Sequence, residues 1–194
     1  TLSSGNNLGT FGILNGSAAT LAIGRSGTGV ITLPDTTSGN LFVTAGNGPI
    51  QIDAPITNNS GGVLTLIKGG SNNLTLRGTN TYTGGTVVNA GTLTFNSAGT
   101  WVSGQNLTVA GSSTVAASAG ALSGGTLTVN QGATVSFPGT SSITFTTTTG
   151  AGQIVFGGGS SAILSLGNAN GFTGNAVLSV GIGGTNPRPT LRFT

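Results

Sequence analysis

Short runs of alternating apolar and small polar residues recur along nearly the whole chain. Three of them lie close together, Leu64-Thr65-Leu66, Leu74-Thr75-Leu76 and Leu93-Thr94-Phe95. A period of two is typical of strands with one buried face. The intervening turns are rich in glycine and asparagine, which accept positive φ angles or bond to the local backbone. No stretch keeps the 3.6-residue period of an amphipathic helix, so the pattern predicts an all-β protein.

Runs of this kind start about ten residues apart over much of the chain. The further runs are residues 21–23, 30–33, 41–43, 50–52, 107–109, 127–129, 134–137, 143–145, 154–156, 163–166, 177–180 and 191–193. Regular spacing with short polar turns fits either a β-sandwich or a β-solenoid. Internal repetition favours the solenoid, because residues 162–174 align with residues 72–84, about 90 positions upstream.

We therefore predict a right-handed parallel β-solenoid that forms one continuous segment over residues 1–194, with a β-sandwich as the alternative. The hand follows from the general preference of parallel crossover connections. Coils of roughly 20–30 residues, stacked at ~4.8 Å, give about 6–10 coils and a rod roughly 30–45 Å long. Neither terminus has a polar, helical or proline-rich cap. We expect a piece of a longer chain or array, or a subunit whose ends stack on identical neighbours.

Residues 80–93, Asn-Thr-Tyr-Thr-Gly-Gly-Thr-Val-Val-Asn-Ala-Gly-Thr-Leu, resemble the autotransporter passenger-associated β-strand repeat. Lys68-Gly69 and Leu74-Thr75-Leu76 also match elements of that repeat. The resemblance implies a bacterial protein that is exported across the outer membrane and lies outside the cell or on its surface. The structural positions that it implies, with their counterparts in the downstream copy, are Asn80, Tyr82, Thr83, Gly84, Gly85, Asn89, Gly91, Leu93, Asn170, Phe172, Gly174 and Gly181.

Composition narrows the possible functions. Charged residues make up 4 % of the 194 residues, and the five basic residues are scattered, so we expect no nucleic-acid partner. No apolar run approaches the ~20 residues of a spanning helix, so we expect no membrane insertion. The chain has no cysteine, which removes disulfides and thiolate metal sites. The basic residues are Arg25, Lys68, Arg77, Arg188 and Arg192.

Candidate catalytic groups are few. Asp35 and Asp53 are the two acidic residues, both at predicted turns, and the chain has no histidine. Carbohydrate-active enzymes need paired carboxylates, so such an activity would require Asp35 and Asp53 to converge from adjacent coils. Serine and threonine hydroxyls without a base are not activated nucleophiles. We predict no catalytic residue, cofactor or metal site, and we predict that the protein is not an enzyme.

Binding surfaces remain open as alternatives. Trp101 could stack on a sugar if exposed, whereas Tyr82 is expected in the core or at a corner. The single threonine of each Leu-Thr-Leu or Leu-Thr-Val triplet predicts one threonine ladder, narrower than an ice-binding array. We predict an extracellular structural protein, a stalk, spacer or fibre subunit that contacts copies of itself or neighbouring segments of its parent chain. The alternative is an adhesive module that binds glycans, such as those of a host or matrix, or ice.

Overall fold

The computed structural model describes residues 12–24, 29–34, 37–96, 101, 103–117, 122–139, 142–158, 162–179 and 189–194. Within these ranges the regular secondary structure consists of β-strands alone. Asp35 and Gly181 lie outside the described residues, as do Arg25 and Arg188. In chain order the strands are β1 Gly12–Asn15, β2 Leu21–Ile23, β3 Gly39–Ala45, β4 Ile50–Ile52, β5 Leu64–Gly69, β6 Asn73–Leu76, β7 Thr86–Val88, β8 Gly91–Phe95, β9 Leu107–Val109, β10 Ser113–Ala117, β11 Leu122–Ser123, β12 Thr126–Val129, β13 Thr134–Gly139, β14 Ile143–Phe145, β15 Thr147–Gly150, β16 Gln153–Gly158, β17 Ile163–Leu166, β18 Gly171–Phe172, β19 Asn175–Leu178 and β20 Thr190–Phe193.

These strands form three sheets, which the chain visits in turn. Sheet 1 has the order β1-β3-β5-β7-β9-β12-β15-β18, sheet 2 has β2-β4-β6-β8-β10-β13-β16-β19, and sheet 3 has β11-β14-β17-β20. Every neighbouring pair within them is parallel. The fold is therefore a β-solenoid. The alternative of a β-sandwich, which is built from antiparallel strands, is wrong.

The strand register gives the length of each coil. Leu74 pairs with Leu93, 19 positions later, and Leu107 pairs with Leu127, 20 positions later. Near the beginning the step is longer, because Gly12 pairs with Phe42, 30 positions later. These steps agree with the predicted coil length of roughly 20–30 residues. The right-handed winding stays a prediction.

The core lies inside the three sheets and follows directly from the alternation. In sheet 2, Leu74, Leu93 and Val115 pair in register, and each is fully buried. Burying one such side chain stabilises the fold by about 1.5–3 kcal/mol. Because each coil places the same kind of side chain over the last, the apolar ladders continue from coil to coil.

Sheets 1 and 2 form two sides of the solenoid, and the structure of the third side changes along the axis. All four strands of sheet 3 belong to the later part of the chain, from β11 onwards. Earlier in the chain, the predicted strand at residues 30–33 is an isolated parallel bridge between Ile31 and Ile56. Side chains of asparagine supply much of the hydrogen bonding there. Residues 77–85 of the repeat segment, which connect β6 to β7, lie on this irregular side and form the centre of the site described next.

Candidate functional site

Two buried residues of the repeat segment, Asn80 and Tyr82, lie between β6 and β7. The Asn80 Oδ1 atom accepts a hydrogen bond of 2.9 Å from the Ile56 N–H, which belongs to the preceding coil. The Tyr82 side chain is fully buried, and its hydroxyl lies 2.8 Å from Thr86 Oγ1. Burial raises the pKa of Tyr82 above its usual value, so the phenol is neutral. This interior position agrees with the core or corner location expected for Tyr82.

Polar side chains from neighbouring coils surround this pair. Asn58 Oδ1 accepts hydrogen bonds from the N–H groups of Thr83, at 3.1 Å, and Leu64, at 2.9 Å. Asn58 Nδ2 donates to Thr83 Oγ1 at 2.8 Å. On the other side, the Gln105 Nε2 atom donates to the Tyr82 carbonyl. The repeat segment is thus bonded to the coils before and after it, and these bonds orient its backbone.

Glycines of the segment occupy places where a side chain does not fit. A Cβ atom on Gly84 would lie 2.5 Å from the Leu64 carbonyl oxygen. Gly91 has a φ of 72°, and a Cβ there would lie 2.5 Å from the Gly70 carbonyl oxygen. Positive φ and close backbone approach both favour glycine. Gly85 also has a positive φ, of 85°, whereas Leu93 is a buried ladder residue and Asn89 is exposed.

Lys68 is the one charged side chain that is buried among the described residues, with 0 % exposure. It occupies an inward position of β5, in register with Val43 of β3 and Val88 of β7. Its Nζ donates to the carbonyl oxygens of Gly69 at 2.8 Å, Gly70 at 2.7 Å and Ala90 at 2.9 Å. The ammonium therefore uses all three of its donors on backbone carbonyls of two successive corner turns.

Two opposing effects act on this ammonium. Burial lowers the pKa of Lys68 from 10.5 to about 8. The three carbonyl contacts favour the charged form, because a neutral amine has only two N–H groups. Lys68 is thus mainly protonated at neutral pH. The described ion pair of the chain lies elsewhere, between Arg77 Nε and Asp53 Oδ1 at 3.7 Å.

The downstream segment that aligns with the repeat differs from it in the structure. Leu74 belongs to sheet 2, whereas Leu164, which aligns with it, belongs to sheet 3. Phe172 is half-buried in β18, in contrast to the fully buried Tyr82. Asn170 is exposed, and Gly174 lies in the turn between β18 and β19. The two segments therefore correspond in sequence, but their aligned strands lie in different sheets.

The candidate catalytic and sugar-stacking residues have structural contacts. Asp53 accepts two hydrogen bonds from Gln51 Nε2, at 3.0 and 2.9 Å. Trp101 is 9 % exposed, packs edge-to-face on Phe95 with ring centroids 5.3 Å apart, and donates its Nε1–H to the Ser123 carbonyl at 3.2 Å. Trp101 thus belongs to the core and has no free ring face for a sugar. Among the described residues, no three potential metal ligands of the His, Cys, Asp or Glu type cluster together.

The outer face of sheet 1 carries more threonine than expected. Thr108, Thr128 and Thr149 form one column in register, and Thr126 and Thr147 form a second column beside it. The prediction of one ladder is wrong here, because β12 and β15 have outward threonines two residues apart. Thr128 and Thr149 bond to each other, with 3.0 Å between their Oγ1 atoms. Some hydroxyl groups of this surface therefore already form hydrogen bonds with each other.

Sheet 2 has a shallow open groove of about 320 Å³ on its outer face. Gly91 and six serine and threonine residues of β8, β10, β13 and the turn before β10 line it. No aromatic or charged side chain contributes to the lining. The groove results from small side chains on adjacent strands, and its chemistry is that of a neutral hydroxyl surface.

The interior position of Lys68 could have been found from the sequence. In Leu64-Thr65-Leu66-Ile67-Lys68, alternation places residues 64, 66 and 68 on the same face, and the structure buries all three. The partners Asn58 and Gln105 carry no such signal. They reach Thr83 and Tyr82 from positions 25 and 23 residues away in the chain, and only the stacking of coils brings them together.

Among the comparisons with known proteins, one finds a match, and it covers the segment that contains this site. No curated protein and no solved structure matches the chain. In the described part of the protein, no helix has the length and apolar character needed to cross a bilayer. Residues 66–95 match the family model of the passenger-associated-transport-repeat. The matched residues include Lys68, Asn80, Tyr82 and both corner glycines, Gly70 and Gly91. The chain is a β-solenoid, and its residues 66–95 are similar to the passenger-associated-transport-repeat.

Proposed function

We propose that this solenoid is a rigid spacer or stalk within a bacterial surface or secreted protein of the passenger type. The observation that carries the proposal is the pair of in-register parallel sheets, each eight strands deep, around one continuous apolar core. Backbone hydrogen bonds between parallel strands run along the stacking axis, so bending or stretching the rod would break many of them together. The role is mechanical, and the repeat family favours it over catalysis.

Different constructions of the third side favour a spacer over a fibre subunit. In the later part of the chain this side has the strands of sheet 3, up to β20, whereas in the earlier part its one described pairing is the bridge between Ile31 and Ile56. If identical copies stacked end to end, a coil with a sheet-3 strand would meet a coil whose described residues have none. The natural neighbours of this segment are therefore further segments of a parent chain. Stacking on identical copies is the competing possibility.

Electron microscopy of the purified chain over a concentration series tests this function. We expect short, uniform rods whose length does not change with concentration. Long filaments would contradict the spacer and indicate a fibre subunit, and compact globules would contradict both. Two neighbours on β9 give a matched pair of variants: Val109→Asp places a charge in the core, whereas Thr108→Asp places it on the outer face. The rods should disappear in the first variant and persist in the second.

A second candidate function is binding of glycans or ice by the outer threonines of sheet 1. The two adjacent columns of β12 and β15 support it, since they form a regular hydroxyl surface. Thermal hysteresis and a glycan array would detect the two activities. Thr126→Val and Thr147→Val remove hydroxyls and keep the β-branched shape, so they should abolish a true surface activity without unfolding the rod. Lack of any activity in the unmodified chain would exclude this candidate.

A further inference from the structure

Coils of this solenoid have more than one acceptable register. In β5 and β7 alternate residues are inward, so a shift of two positions keeps every inward residue inward and every outward residue outward. The same holds for Leu74 and Leu76 of β6 against Leu93 and Phe95 of β8. The apolar pattern therefore excludes a one-residue slip of the coil that contains β7 and β8, but not a two-residue slip.

Lys68 interrupts an otherwise apolar ladder at this place. Val43, Val88, Val109 and Val129 occupy the same row of sheet 1 in four other coils. A valine at position 68 would fit this row without a desolvated charge. Burying an ammonium is costly unless it is fully hydrogen-bonded, so the side chain needs a compensating role.

The hydrogen bonds of Lys68 depend on the register. Gly69 and Gly70 follow Lys68 on its own coil, and they accept two bonds at any register. The third acceptor, Ala90, belongs to the corner after β7 in the next coil. A two-residue slip moves that carbonyl by about 6.6 Å along the strand, well beyond hydrogen-bond distance. The buried ammonium would then keep one N–H without a partner.

The corner itself is built to receive the ammonium. Gly70 and Gly91 have φ angles of 76° and 72°. The positive φ of Gly91 lets its backbone approach that of Gly70 closely, which brings the Ala90 carbonyl near the Gly69 and Gly70 carbonyls. Three carbonyl oxygens thus converge on Nζ at 2.7 to 2.9 Å.

We propose that Lys68 fixes the stacking register between the β5–β6 coil and the β7–β8 coil, by an interior ammonium that is fully bonded only when the Ala90 carbonyl lies near those of Gly69 and Gly70. The residue acts as an internal positioning group. It selects one register among those that the apolar pattern allows, in the way a single polar group in an apolar interface can specify pairing.

Disulfide trapping tests the proposal directly, because the chain has no cysteine of its own. Ile67→Cys with Val87→Cys reports the native register, since these outward residues are direct partners. Thr65→Cys with Val87→Cys reports the slipped register; in the native one these residues are diagonal, about 8 Å apart and too far to bridge. Each pair is oxidised in the full chain with Lys68 intact, with Lys68→Met, and with Leu66→Met. Leu66→Met is the matched control, one inward position earlier on β5.

With Lys68 intact, the native pair should cross-link and the slipped pair should not. In Lys68→Met we expect the slipped product to rise about tenfold, the discrimination that one hydrogen bond to a charged group provides. Leu66→Met should behave like the unmodified chain. Native cross-links alone in a folded Lys68→Met protein would overturn the proposal. Should that variant not fold, Lys68→Gln decides on the same reporters: a slipped product sustains the proposal, and its absence overturns it.

Discussion

The third side of the solenoid is built in two ways, and the contrast shows what holds each half together. In the later half it is sheet 3, where Ile143 pairs with both Leu122 and Leu164 in parallel ladders. In the earlier half, the bridge between Ile31 and Ile56 is the one described strand pairing on this side. There, asparagine side chains bond to backbone groups that have no ladder partner.

Three asparagines show how side chains bond to the backbone on this side: Asn58, Asn59 and Asn80. Asn59 Nδ2 donates to the Thr37 carbonyl at 3.1 Å, and its Oδ1 accepts from the Gly61 N–H at 3.3 Å. Buried backbone groups must find partners, and either a strand or an amide side chain can provide them. The difference teaches that the third side of the earlier half keeps its shape through side-chain bonds, whereas the third side of the later half relies on backbone ladders and apolar packing.

The largest effect is expected from the packing of sheet 3. Phe145 is 1 % exposed, and its ring centroid lies 6.1 Å from that of Phe137. Phe145→Ala should lower the free energy of unfolding by about 3–5 kcal/mol, because it leaves a cavity among the β14 neighbours. Chemical denaturation measures this loss. Thr144→Ala, at the exposed neighbouring position, should change stability by less than about 0.5 kcal/mol; equal effects would contradict a core at this side.

The buried ammonium of the earlier half gives a pH dependence. The folded pKa of Lys68 is about 8, below the ordinary 10.5. Between these values the unfolded chain binds more protons than the folded chain, so stability rises with pH. We expect a gain of about 2 kcal/mol between pH 7 and 9.5 in urea denaturation. The window ends near pH 10, where tyrosine ionises in the unfolded chain and the buried neutral Tyr82 reverses the slope. Lys68→Met should flatten the profile; a profile that falls from pH 7 to 9.5 would contradict this prediction.

Removing one asparagine tests whether side-chain hydrogen bonds stabilise the third side in the earlier half. Asn58→Ala deletes the acceptor of the Thr83 and Leu64 N–H groups. We expect a loss of about 1–2 kcal/mol, measured by thermal and chemical unfolding. Asn58→Asp keeps an acceptor oxygen for both N–H groups and should recover most of it. If Asn58→Ala were neutral, the asparagine bonds would not be what holds this side.

The smallest effect is expected at the surface ion pair. Asp53 and Arg77 have side chains that are 19 % and 46 % exposed, and their charged atoms are 3.7 Å apart. Asp53→Asn should cost no more than about 0.5–1 kcal/mol, and added salt should reduce the difference between the two proteins. A cost as large as that of Phe145→Ala would show that charge, rather than packing or backbone bonding, dominates in the earlier half.

Much of the fold could be predicted from alternation alone. The runs at Leu64, Leu74, Leu93, Leu107 and Leu127 all lie in strands with their leucines inward. Alternation reports which side of a strand is buried, so it predicted strands and the all-β class, and repetition favoured the solenoid. It does not report which sheet a strand joins. That depends on the lengths of the connections, which is why Leu164 and Leu74 lie in different sheets.

The interior polar contacts were harder to predict. The motif positions of the repeat identified Asn80 and Tyr82, but their partners Ile56 and Gln105 belong to other coils. Such pairs depend on coil length to the single residue, and coil length varies here from 19 to 30 positions. The two threonine columns of sheet 1 were missed for a similar reason, because only the register brings Thr126 beside Thr147.

Parallel in-register stacking is the central claim, and a single cross-link tests it most directly. Thr128 and Thr149 are direct partners 21 positions apart, on the outer face of sheet 1. Thr128→Cys with Thr149→Cys should form an intramolecular disulfide rapidly and leave the fold intact, whereas Thr128→Cys with Thr147→Cys, a diagonal pair, should not. A chain that folds cooperatively but cross-links neither pair, or both equally, would contradict the solenoid.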